Sequence, residues 1–150
     1  MSPPFSRPRR LLIAFVALIG SGVLFRAQVA DALVIRGDDY VYRGDRAQAL
    51  ERYRRAMVIA PSSGTAVDRY VFVSMQTQTP AAVASAIAVA SGYLRRHPDD
   101  IAVRTDRALC YLHAHRYAAA SADLLAAARV AHSSRYALYA RMAARAERRT

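Results

Sequence analysis

The residue types that could do chemistry in this chain are few, and their spacing limits what they can do. His113 and His115 stand two apart, with Cys110 just before them. Imidazole and thiolate are common ligands of transition metals. On a helix, however, residues two apart do not share a face. No carboxylate or further cysteine completes a ligand set, and a single cysteine forms no internal disulfide. Cys110 then reads as a small buried hydrophobe. Acid–base catalysis needs positioned titrating groups. The glutamates are Glu51 and Glu147 alone, and the aspartates cluster at helix starts and turns, where capping accounts for Asp45, Asp99 and Asp100. There is no phosphate loop and no H-E-x-x-H. The sequence therefore points to a non-catalytic protein with no cofactor and no metal. Arg36-Gly37-Asp38 and Arg43-Gly44-Asp45 each spell an adhesion tripeptide, but close packing and a turn already account for their glycines.

The remaining chemistry is cationic. The formal net charge is +11, carried wholly by arginine. Arg52, Arg54 and Arg55 crowd one predicted helix, and Arg52 and Arg55 share a side by their i,i+3 spacing. Such a strip could meet anionic lipid headgroups or an acidic patch on a partner; the alternative is a solvated outer face. Arginine without lysine, beside abundant alanine, also suits a GC-rich bacterial coding bias. Charge alone thus does not point to nucleic acid.

Two kinds of element must hold these residues. Residues 11–25 read LLIAFVALIGSGVLF, with no charge. At about 1.5 Å per residue the run spans roughly 22 Å as a helix, short of a hydrocarbon core of about 30 Å. Flanking Arg10 and Arg26 could snorkel, and residues 27–30 extend the stretch. A retained anchor and a cleaved signal both have this form. Arg7, Arg9 and Arg10 before the run favour a cytoplasmic N-terminus. The expected placement is a bacterial inner membrane crossed once, with the rest of the chain periplasmic, or a cleaved periplasmic form.

From Ala30 onward the chain reads as alanine-rich helices of ordinary length. Breaks fall near Gly44, Pro61, Pro80, Pro98, His115 and Ser133. Residues 30–63 carry small side chains where two antiparallel helices must cross, at Gly37, Ala49 and Ala56. Leu33, Tyr40, Tyr53 and Ile59 fill the space between, and Pro61 closes the second helix. This pattern, with a period of about 34 residues, resembles the tetratricopeptide repeat. Leu33, Gly37, Tyr40, Gly44, Ala49, Tyr53, Ala56 and Pro61 occupy its signature places, while Arg36 and Arg46 depart from the usual Leu and Tyr.

The resemblance implies an all-α fold: an N-terminal transmembrane or signal-like helix over residues 1–28, repeats over 29–63, 64–100 and 101–134, and a capping helix over 135–150. Ala108, Tyr111, Ala120 and Ala127 keep the frame in the third repeat. The second is longer by about three residues, placed around Thr77 to Pro80, and has Val71 where a small residue is usual. Tyr136, Leu138, Tyr139 and Met142 are the expected contacts of the cap.

Such repeats bind partners in a concave groove lined by each first helix. The resemblance places Val34, Asp38, Val41, Tyr42, Phe72, Met75, Leu109 and Leu112 there. The subgroup that clamps a C-terminal carboxylate uses lysine and asparagine at such places, and none occurs here. The groove reads as apolar with aspartates toward one end, suited to a helix or extended segment carrying a basic residue. The expected partner is a protein, an integral membrane complex or a segment of one, with anionic lipid contact at Arg52, Arg54 and Arg55. The function implied is a membrane-anchored assembly factor or accessory subunit. Nucleic-acid stacking has little support, because repeat positions use the tyrosines.

Overall fold

The computed structural model describes the backbone of residues 7–149, and the side chains of residue 22 and of residues 24–149. These residues form seven helices: α1 (Arg7–Tyr42), α2 (Arg46–Ile59), α3 (Gly64–Gln76), α4 (Pro80–Leu94), α5 (Ile101–His113), α6 (Tyr117–Ala131) and α7 (Ser134–Glu147). Polar side chains at the breaks start four of them. Asp45 accepts from the Gln48 amide at 3.0 Å, Ser63 from Ala66 at 3.3 Å, Thr79 from Ala82 at 3.2 Å and Asp100 from Val103 at 3.1 Å. Pro80 follows its cap at the first helical position, where its missing N–H costs nothing.

Successive helices pack as antiparallel hairpins. The turn within each pair is three residues, and its middle residue is left-handed: Gly44 (φ 81), Gln78 (φ 54) and His115 (φ 56). The expectation of extra residues around Thr77 to Pro80 is corrected. That turn is as short as the others, and the additional length falls after α4, in residues 95–100.

Alanines let the helices approach closely. Ala49 and Ala56 are fully buried against Ala30, Val34, Tyr53, Ala66, Tyr70 and Val73, which join α1, α2 and α3. A second cluster, including Val67, Val71, Ala86, Tyr93, Val103 and Cys110, joins α3, α4 and α5. A third, Ala108, Leu124 and Ala140, seats α7. Met57 and Val89 pack against both of the first two clusters and link them. Of the expected cap contacts only Tyr136 packs on the third cluster. Leu138, Tyr139 and Met142 are exposed, because α7 docks through Ala140 and Ala143.

The membrane expectation is also corrected. The run at residues 11–25 lies outside the described side chains except for Gly22, Leu24 and Phe25. Among the described residues no helix is long and apolar enough to cross a membrane. From Arg26 onward α1 carries Arg36, Asp38 and Asp39 and packs in the domain core through Ala30 and Val34. Among the described residues the structure is a repeat domain with no helix able to span a membrane, and the single-pass inner-membrane placement is set aside.

Candidate functional site

The first helix of each hairpin, α1, α3 and α5, packs beside the next, and α3 lies between the other two. Four acidic or basic side chains meet along this row. Asp38 of α1 accepts a hydrogen bond from the Tyr53 hydroxyl at 2.7 Å and faces the Arg69 Nε of α3 at 3.4 Å. Asp106 of α5 faces Asp68 of α3. Its Oδ2 is closed from solvent. Burial first, then a hydrogen bond to Asp68 and the charges of Asp68 and Asp100, push the Asp106 carboxyl up to about 8. Burial and like charge disfavour the ionised carboxylate, so Asp106 holds a proton at neutral pH.

That proton has a measurable consequence. The folded pKa lies above the unfolded value of 3.8, so folding takes up a proton between about pH 4 and pH 8, and stability falls across that window as pH rises. Asp106→Asn keeps the donor without the charge. It should leave stability near unchanged at pH 4 and raise it by about 1–2 kcal/mol at pH 8.5, a gain limited because the carboxyl is partly open to water. Urea denaturation at the two pH values checks this; an equal shift at both would show that charge is not the cause.

Apolar side chains flank the acidic pair. Phe72, one turn beyond Asp68, is 48% exposed, and Leu109, just beyond Asp106, is 43% exposed. Met75 and Leu112 are half-buried, and Met75 packs on the second core cluster. The α1 residues named with them are placed differently. Val34 is in the core, Val41 packs against it, and Tyr42 is 94% exposed at the helix end. Arg69 and Asp106 were missed by the sequence reading. A carboxyl at matching depth on successive first helices was the signal available.

The three arginines of α2 go separate ways. Arg55 pairs with Glu51 on the surface at 2.8 Å. Arg54 donates to the Tyr70 hydroxyl at 3.0 Å and lies over that ring, joining α2 to α3. Arg52 turns toward α1, with its guanidinium 5.6 Å from the Tyr40 ring centre. They do not form one strip.

The other candidates are structural. Cys110 is fully buried, and burial pushes its thiol up to about 12, so it is inert. His115 sits in a left-handed turn, with Nδ1 3.0 Å from the Tyr117 hydroxyl. Among the described residues no group of three His, Cys, Asp or Glu is placed to hold a metal.

No family model matches the chain, and no curated protein matches it. Solved structures do. The fold is similar to the first TPR domain of human RPAP3, with a TM-score of 0.68 and 13% identity over 80% of this chain and 93% of that one. It is similar to the first TPR of Spaghetti (RPAP3) bound to the HSP90 peptide SRMEEVD, with a TM-score of 0.69 and 14% identity over 80% and 94%. It is also similar to the Arabidopsis OM64 TPR domain, with a TM-score of 0.68 and 13% identity over 83% and 99%. The fold is therefore that of a tetratricopeptide-repeat domain. The ligand in the Spaghetti structure is a short HSP90 peptide. The expectation of an integral membrane complex and of lipid contact is corrected: no helix among the described residues is long and apolar enough to cross a membrane, and the arginines proposed for lipid are dispersed.

Proposed function

We propose that this chain is a protein-interaction module whose concave row receives an extended or helical segment of a protein partner. Residues 29–63, 64–100 and 101–134 act as its three repeat units and residues 135–150 as its cap. Phe72, Met75, Leu109 and Leu112 take apolar side chains of the segment, with Val34, Val41 and Tyr42 supporting the α1 end. Asp38, Asp68 and Asp106 face its basic side chain.

The observation that carries this reading is the acidic pair between two exposed apolar residues on adjacent first helices. A cation placed there relieves the repulsion between Asp68 and Asp106 and displaces their shared proton. Acidic peptides such as SRMEEVD, the ligand of the Spaghetti domain, meet like charge instead.

The test is titration calorimetry with peptides carrying one arginine between leucines, and with SRMEEVD as the control. The arginine peptide should bind, release a proton, and tighten several-fold from pH 6 to pH 9 as Asp106 ionises. Phe72→Ala with Leu109→Ala should weaken it by about tenfold or more, equal to about 1.4 kcal/mol. Preference for SRMEEVD, or binding untouched by the double variant, sinks the proposal.

A further inference from the structure

On the opposite side of α1 from Val34, Asp38 and Val41 lies a second charged feature. Arg36, Asp39, Tyr40 and Arg43 recur at helical spacing on one face. Arg52 reaches across from α2, and the five side chains line a small polar cleft of about 260 Å³. Its cations are unlike the others nearby. Arg55 has Glu51, Arg69 has Asp38, and Arg104 and Arg107 have Asp123. Among the described residues no carboxylate lies within ion-pair distance of Arg36, Arg43 or Arg52. Arg52 is held over the Tyr40 ring, and its Nε is closed from water with no hydrogen-bond partner among the described residues. Arg36 is exposed and stands where this repeat usually has a leucine.

The charge count selects the ligand. Three guanidiniums and the carboxylate of Asp39 leave the cleft with two net positive charges. A carboxylate side chain would cancel one. A phosphate monoester carries about −1.5 to −2 at neutral pH, and its three terminal oxygens match guanidinium forks. Tyr40 adds a hydroxyl at the same wall. We propose that the cleft formed by Arg36, Tyr40, Arg43 and Arg52 binds a phosphate monoester dianion, presented as a phosphorylated serine or threonine of a protein partner. This site is on a different face from the concave row, so the two proposals stand or fall separately.

The test uses the whole chain and a short neutral peptide in three forms, carrying serine, phosphoserine or glutamate at one position. The phosphopeptide should bind at least about tenfold more tightly than the other two, and its affinity should fall steeply with salt. Arg36→Gln and Arg43→Gln should each weaken it about tenfold or more while thermal unfolding stays near the parent value. Glutamate peptide binding equal to phosphopeptide, or unchanged affinity in both variants, overturns the site. Inorganic phosphate or free phosphoserine binding as tightly as the peptide overturns its assignment to a protein side chain, and equal binding of a phosphodiester overturns the dianion.

Discussion

Asp123→Ala is expected to cost about 3–5 kcal/mol of folding stability, because it strands two guanidiniums inside the domain. Asp123 sits in the middle of α6 and is 5% exposed. Its Oδ2 accepts from Arg107 Nε at 2.8 Å, and its Oδ1 from Arg107 Nη2 at 2.7 Å and Arg104 Nη1 at 3.3 Å. Arg107 also donates to Ser91 Oγ at 3.0 Å, so the network ties α4, α5 and α6. The hydrogen bonds from Asp123 raise the Arg107 pKa more than its burial lowers it. Without the carboxylate, both cations keep their desolvation cost and lose their partner. The surface pair of Arg55 and Glu51 is the contrast: Glu51→Ala should cost under about 0.5 kcal/mol. Adding Arg107→Met to Asp123→Ala should recover part of the loss, since it removes one of the two stranded charges. Guanidinium or urea unfolding of the single and double variants checks it; additive losses would mean that the pair is not coupled.

The same network shows what the sequence could and could not reveal. Close-packing positions of the first hairpin were legible because their cause is local. Gly37, Ala49, Tyr53, Ala56 and Pro61 fall at fixed offsets, and the structure buries Ala49, Tyr53 and Ala56 completely. Capping was legible for the same reason, at Asp45 and Asp100. Capping does not account for the remaining aspartates. Asp38, Asp106 and Asp123 find their partners on other helices, at separations that no motif encodes. The capping helix misled differently. Large apolar residues drew the expectation to Leu138, Tyr139 and Met142, while the contact is made by Ala140 and Ala143, whose small size permits the close approach. The α2 arginines looked like one feature by spacing. Tyr40 and Tyr70, on two different helices, pull Arg52 and Arg54 apart.

Gly37→Ala should destabilise the fold by about 2–3 kcal/mol, against the sign that helix propensity alone gives. Gly37 lies inside α1, where alanine in place of glycine ordinarily stabilises by about 1 kcal/mol. Here a Cβ would collide with the Tyr53 ring, with Cδ1 and Cζ both at 2.8 Å and Cε1 nearer still. The ring cannot swing aside cheaply. It is fully buried among Ala30, Val34 and Ala49, and its hydroxyl is fixed to Asp38. Burial and that hydrogen bond both hold the phenol protonated, well above its ordinary range. Moving the ring would break the bond and open a void in the α1–α2 crossing. Tyr53→Leu removes the obstructing ring edge at its own cost. In that background Gly37→Ala should lose most of its penalty and approach the propensity gain, giving a coupling of about 2 kcal/mol in a double-mutant cycle. If Gly37→Ala instead stabilises the parent chain as it would an exposed helix, the two helices do not cross at the distance the glycine sets.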